Sequence, residues 1–387
     1  MHCRLSAGIA VALSTVSMFA MSASAQIVVS ANDNKAVLVD GVNTVPANPA
    51  PDTVTIIDLS VSPPKVLGEV TAPASVVGPP SSVAIAPDES FAIVTAATKV
   101  DPADPKKTAH DSKVTVIDLK ASPPAVIATL EAGAGAAGAA INRAGTLALV
   151  ANRAEGTVSV FKISGKTLTP AGKIQLGDAK SGPCAVSFTP DGKTALVTRD
   201  GDHKISVLTI DGDKVEHSKR DMHAGIRPYP LNIHPKGDVA AITNIGMGGG
   251  DVDTISLIDL KAVPPRVVDT ISAGDAPEGL TLSPDGSIAA VVFQNGTNKP
   301  KSSPFYNDFG LVKLFRIDGK KFSPLTEAKI GGWCQGAAWS KDGKTLLVQC
   351  MNEKEAQIFS FDGKELKRTG EVKLGGGGAG IGTADRL

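Results

Sequence analysis

The chain has 387 residues, with 39 Lys and Arg balanced by 39 Asp and Glu, and it is 42% hydrophobic but only 4% aromatic. Zero net charge excludes the broadly basic surface that non-specific nucleic-acid binding needs, and the apolar and charged fractions exclude disorder. With 40 Gly and 26 Pro the chain is rich in turns and poor in material for long helices, which favours an all-β fold, a class that runs long as one domain.

Residues 1–25 read as a secretory signal peptide. Arg4 supplies the positive start, Leu5 to Met21 is an uncharged apolar run, and Ala23-Ser24-Ala25 is a small-x-small cleavage site that would leave Gln26 first. An uncleaved membrane anchor is the competing reading, but the run is at the lower limit for spanning a bilayer. No later segment is apolar enough to span. We therefore expect one domain over 26–387, periplasmic or secreted, without a membrane span after cleavage. Cys3 leaves with the signal, so Cys184, Cys334 and Cys350 remain in an oxidising compartment, and three cysteines allow at most one internal disulfide.

The remainder is built on a repeat. Val83-Ala-Ile-Ala-Pro-Asp-Glu-Ser-Phe-Ala-Ile-Val94 is an apolar strand, a turn and a second apolar strand. The pattern returns over 139–150 and around Pro190-Asp191-Gly192, Pro235-Lys236-Gly237, Pro284-Asp285-Gly286 and Lys341-Asp342-Gly343. Asp-Gly turn chemistry between β-patterned runs marks each as a hairpin. A third strand follows, as in Thr53-Val-Thr-Ile-Ile-Asp-Leu59, Lys113-Val-Thr-Val-Ile-Asp-Leu119 and Thr254-Ile-Ser-Leu-Ile-Asp-Leu260, with divergent copies ending at Ile163, Ile210, Ile317 and Phe361. A fourth strand comes next, three times after a Pro-Pro turn. A four-stranded unit recurring every ~50 residues is a propeller blade. Seven third strands predict a seven-bladed β-propeller of four-stranded antiparallel blades. Only six first strands precede a hairpin, and the tail Ala379-Gly-Ile-Gly-Thr-Ala-Asp-Arg386 resembles a first strand. We expect that tail to join the blade that begins at Ile27 and so close the ring. Rings of six or eight blades are the alternatives.

Ala148-Leu-Val-Ala-Asn152, Ala195-Leu-Val-Thr-Arg199 and Ala240-Ala-Ile-Thr-Asn244 resemble the Tyr-Val-Thr-Asn repeat of YVTN-type propellers, and the companion Ser-Pro-Asp-Gly and Val-x-Val-Ile-Asp patterns are present too. The resemblance covers essentially all of the chain after the signal. It implies an architecture like that of the seven-bladed lactonases and cyclases, although no stretch matches a catalytic signature of those enzymes.

Strand alternation puts the short Pro-Asp-Gly and Pro-Pro turns on one face of the ring. The insertions 33–53, 98–113, 244–254 and 294–310 fall on the other, where function is expected to concentrate. First-strand starts on that face are Ser81, Ala137, Cys184, Tyr229, Glu278, Gln335 and Ala379. The polar ones are consecutive, and neighbouring loops add Arg199, Asp200, His203, His223 and Arg227. We expect Arg199, Asp200, Arg227, Tyr229 and Gln335 to bind a ligand, the arginines holding a carboxylate or phosphate. His203 or His223 would be the general base and Glu278 the acid or water-activating group, should the site be catalytic. Solvated loop residues with local ion pairs, such as Arg199 with Asp200, are the plainer reading.

Metal and cofactor signatures are absent. His110, His203 and His223 lie on loops of different blades, Asp101, Asp104, Asp251 and Asp253 sit in ordinary turns, and there is no Cys-x-x-Cys, His-Glu-x-x-His, Gly-x-Ser-x-Gly, phosphate loop, haem motif or dinucleotide-binding unit. Cys334 and Cys350 are placed symmetrically about the turn at position 342 and should face each other across a hairpin, as a disulfide or as two buried thiols. Cys184 reads as a small core residue. Two functions follow. One is a monomeric binding scaffold for a small anionic molecule or a protein partner at the channel mouth. The other is a lactonase- or cyclase-type hydrolase.

Overall fold

The computed structural model describes residues 26–384; the expected signal peptide, residues 1–25, lies outside the described residues, as do residues 385–387. Among the described residues no helix forms, and seven four-stranded antiparallel sheets account for the chain, with one further two-stranded hairpin, Val37–Val39 with Val42–Thr44. Blade 2 runs outward as Val83–Ile85, Phe91–Val100, Thr108–Asp118 and Ala125–Glu131. Blades 3 to 7 repeat it from inner strands Ala136–Ile141, Pro183–Phe188, Pro228–Ile233, Pro277–Leu282 and Cys334–Trp339. Blade 1 takes its inner strand from the other end of the chain. Gly377–Thr383 pairs antiparallel with Ile27–Asp33, which pairs in turn with Thr53–Asp58 and Lys65–Thr71. The ring is therefore closed by the C-terminal strand, as the repeat count required.

Each hairpin turn needs a residue with positive φ. Glycine fills that position at 145, 192, 237, 286 and 343, because it alone enters the left-handed region without steric cost. In blade 2 the place is taken by Glu89 (φ 53°), whose buried carboxylate accepts the Ile27 N–H at 3.1 Å and so ties blade 2 to blade 1.

Alternate side chains of each strand face opposite neighbours, so the apolar core is divided into seven clusters, one between each pair of adjacent blades, with an eighth at the loop-rich mouth. Ile27, Val29 and Ala31 pack on Val83, Ala92 and Val94 of blade 2, whereas Val28 and Ile57 pack on Ala338 and Leu347 of blade 7. Interdigitation is close at the axis, where inner strands meet. A Cβ added to Gly380 would lie 2.1 Å from Ser82 Oγ.

One expected insertion is regular. Residues 98–113 extend the middle strands of blade 2 into a long hairpin that bulges between Ala96 and Thr98 and leaves only 101–107 as a turn. The third strand simply begins before its Lys113-Val-Thr pattern, at Thr108.

The closing strand gives a direct test. Gly380→Val should destabilise the protein by about 1–3 kcal/mol in urea unfolding, the usual cost of overpacking a tight interface. Gly370→Ala, on an outer strand with its nearest neighbour 3.5 Å away, should be tolerated.

Candidate functional site

At the start of the inner strands the antiparallel register slips. The slips lie between Ala136 and Ala139, Pro183 and Ala185, Pro228 and Leu231, Pro277 and Gly279, and Cys334 and Ala337. In blade 1 the slip skips Ala379. A bulge releases a residue from the ladder and re-aims its side chain. The residues in these slips include Ala137, Cys184, Tyr229, Glu278, Gln335 and Ala379, a ring at the loop-rich mouth of the channel. Blades 4 to 7 supply its polar arc.

Asp200 is the electrostatic centre of this arc. Its buried carboxylate accepts two bonds from Arg153 (Nε 3.2 Å and Nη2 2.6 Å) and one from Arg227 Nη2 at 3.0 Å. Gly182 (φ +61°) leaves room for it, since a Cβ there would come within 2.5 Å of Asp200 Oδ1. Two guanidiniums share one carboxylate, so one positive charge remains. Burial opposes the charge on Arg153, and the Asp200 carboxylate outweighs it. Beside the triad is a cavity of about 300 Å³ lined by Arg153, Asp200, Lys180, His110, Thr98 and several small residues of blades 2 to 4.

Glu278 and Tyr229 adjoin this triad within electrostatic reach. Burial pushes the Glu278 carboxyl up to about 7, against the pull of Gln294, Arg227 and Arg153. Burial, reinforced by the Glu278 charge, holds the Tyr229 phenol well above its usual value. Near neutral pH the arc thus offers a carboxyl poised to give or take a proton and a phenol fixed as a donor.

The remaining expected site residues divide. Gln335 is buried at the mouth, with Nε2 donating to Trp333 O at 3.3 Å and Oε1 without a partner. His203 (φ 61°) accepts the Arg227 N–H on Nδ1 at 3.1 Å, which fixes its tautomer and occupies that nitrogen. His223, on the surface, is held through Nδ1 to His203 O at 2.8 Å. Among the described residues no hydrogen bond or ion pair joins either histidine to Glu278.

Arg199 corrects the expectation. The strand places Thr198 toward blade 5, where its hydroxyl meets Tyr229 O at 2.8 Å and Cys184 Sγ at 3.2 Å. Arg199 points the opposite way, to Leu176 O, Ser206, Asp202 and Asp221. It is buried and spent on structure, and its partners do not include Asp200. The arginine that joins Asp200 from blade 3 is Arg153. The signal was available in the repeat, because Arg153 follows Ala148-Leu-Val-Ala-Asn152 at the position that Asp200 holds one blade later.

Cys334 and Cys350 stand opposite each other in register and are disulfide-bonded, stapling blade 7 beside Gln335. Cys184 is fully buried, with its thiol pushed up to about 12 by burial, so it is not a nucleophile at neutral pH. Among the described residues the one trio of possible metal ligands within 4.8 Å is Cys334, Cys350 and Glu353, and the disulfide consumes both sulfurs. Asp101 and Asp104 accept backbone N–H groups of their own turn. On the axis lies a second hollow of about 280 Å³, which reaches Pro235, Pro284 and Lys341 on the short-turn face and is lined by Ser187, Asn232 and Thr281. Among the described residues the charged groups at its lining are Glu89 and Lys341.

The chain is a seven-bladed β-propeller whose structural neighbours are lactonase-like propellers. A Bacteroides uniformis protein described as a "putative 6-phosphogluconolactonase" superposes with a TM-score of 0.72 at 17% identity, over 93% of this chain and 99% of that one. The periplasmic gluconolactonase of Pseudomonas aeruginosa gives 0.68 at 15% identity over 93% and 99%. Kuenenia stuttgartiensis hydrazine synthase gives 0.62 at 20% identity over 78% and 88%. At such identities the likeness is one of fold. No protein-family model matches the chain, and no curated protein does.

The proton on Glu278 makes a measurable statement about stability. Its folded value near 7 lies above the ordinary 4.5, so between these pH values the folded state holds a proton that the unfolded state has released. Stability must therefore fall as pH rises through that window. Glu278→Gln should flatten this part of the profile. In urea unfolding from pH 5 to 8 the parent protein should lose roughly 2–3 kcal/mol more than the variant; equal slopes would place the Glu278 proton elsewhere.

Proposed function

We propose that this protein is an exported propeller that binds a small anionic molecule at the loop-rich mouth of its channel. The observation that carries the reading is the Arg153–Asp200–Arg227 triad, two cations to one buried anion, facing a cavity that Lys180 also lines. Asp200 holds both guanidiniums in place before a ligand arrives, so little side-chain ordering remains to be done on binding. Guanidinium N–H groups suit a carboxylate or a phosphate. An exported location agrees with the signal-like start of the sequence and with the periplasmic neighbour. Among the described residues no helix is long and apolar enough to cross a membrane.

A second reading rests on Glu278. A carboxyl with a pKa near 7 beside a protonated Tyr229 supplies what lactone opening needs: a base to take a proton from water and a donor for the ring oxygen as it leaves. The same anionic cavity would then hold the acid product.

Calorimetric titration with D-gluconate tests the first reading. Binding should weaken roughly 10- to 100-fold in Arg227→Ala, the range for losing a charge-assisted hydrogen bond, with Arg227→Lys between the two. No heat and no melting shift at millimolar gluconate, citrate and inorganic phosphate alike would refute it. Turnover of δ-gluconolactone that falls 10²- to 10⁴-fold in Glu278→Gln, with gluconate binding retained, would establish the second.

A further inference from the structure

The insertions on the loop-rich face join into one strap. The hairpin Val37–Val39/Val42–Thr44 leaves blade 1 and rests on blade 7, where Ala36 and Leu38 pack with Trp333, Met351 and Ala379 of the mouth ring. Its tip reaches past blade 7 to the long loop of blade 6. Asp40 Oδ1 accepts the Lys301 N–H at 2.9 Å, and Gly41 (φ +79°) sits so close that a Cβ would lie 2.4 Å from Pro300 N. That loop is held down on Trp333, whose backbone N–H donates to Thr297 Oγ1 at 3.0 Å. It continues to blade 5, where Lys299 Nζ donates to Gly248 O and the Phe305 ring covers Gly250. Blades 1, 7, 6 and 5 are thus bridged in sequence. Over blades 2 to 4 no comparable bridge joins the connections among the described residues, and the cavity with Arg153 and Lys180 lies there, beside the long hairpin of blade 2 that supplies Thr98 and His110.

We propose that this strap, latched at Asp40 and Gly41, determines ligand size: it confines entry to the side of blades 2 to 4 and excludes bulky anions from the mouth. The inference rests on the anion-binding reading above. Entry from that side brings the ligand's charged end to Arg153 and Lys180 and its other end toward Glu278 and Tyr229. Asp40 and Gly41 touch no ligand. They act through the loop of blade 6, by one hydrogen bond and by a contact only glycine permits.

Two variants unlatch the strap away from the site: Asp40→Ala removes the acceptor, and Gly41→Val drives a branched side chain into Pro300. Acrylamide quenching of tryptophan fluorescence reads the strap itself. Of the two tryptophans, Trp339 is buried in the core between blades 6 and 7, so any change reports Trp333 beneath the hairpin. Quenching should rise at least twofold in both variants. The affinity for 1-pyrenebutyrate, a carboxylate with a bulky tail, should rise at least tenfold, and that for D-gluconate should stay within twofold. Greater quenching with unchanged pyrenebutyrate affinity would overturn the size gate and leave the anion site standing. Unchanged quenching in Gly41→Val would overturn the latch. If neither parent nor variants bind gluconate, the anion-binding reading falls and the gate's selectivity with it, and the quenching result still decides the latch. Thermal melts of both variants should stay cooperative and close to the parent, because Asp40 and Gly41 lie outside the apolar clusters between blades.

Discussion

The pairing of Gly377–Thr383 with Ile27–Asp33 is the constraint on which the rest depends. A propeller has no central core. Its apolar surface is divided into seven interfaces, each buried only while both neighbouring blades are present. Blade 1 has no inner strand of its own until the far end of the chain arrives. Without that strand Val28 and Val29 would sit on an open edge, and the clusters shared with blades 7 and 2 would both lose their axial side. The glycines of this strand follow from its place. Seven inner strands converge on one axis, and at 380 there is no space for even a methyl group.

The same convergence creates the site. Where the inner strands reach the loop-rich mouth, their register slips and one or two residues per blade leave the ladder. Six of the seven blades share this slip, so a ring of side chains is a property of the architecture and its chemistry is a property of the residues. In blades 1 to 3 the positions are Ala or Ser. In blades 4 to 7 they are Cys, Tyr, Glu and Gln. The division of the mouth into a small-residue side and a polar side thus comes from substitutions at one repeated position.

That explains what was legible in the sequence. Blade number, strand order, ring closure and the facing of Cys334 and Cys350 all follow from period and turn spacing, which are local properties repeated seven times. Aligning the repeats on their turns also located the bulged residues, because a bulge sits at a fixed distance from the turn. The orientation of Arg199 was not legible in the same way. It lies one position past Thr198 at a strand end, and a single step along a strand exchanges one neighbouring blade for the other. The strap escaped detection for a different reason: its contacts join residues such as Asp40 and Lys301, far apart in sequence and with no pattern that links them.

A buried ion pair is weak evidence for stability, because desolvation offsets much of the attraction. Asp200 with a single arginine would be neutral, and the pair could be replaced by apolar residues at little cost. With two arginines the group keeps a net positive charge at the edge of a cavity, with about a third of each guanidinium side chain exposed. That arrangement gives up stability relative to a neutral pair, since the second cation is only half compensated. Glu278 responds to the same imbalance. Burial pushes it up, and Gln294, Arg227 and Arg153 draw it back toward ionisation, leaving it near 7. Under the proposed anion binding, a carboxyl balanced in this way would change its protonation with the ligand, which would offset the arginines' pull and let Glu278 take up a proton. The proposal therefore links binding at this mouth to proton uptake, a coupling that a purely structural ion pair would not produce.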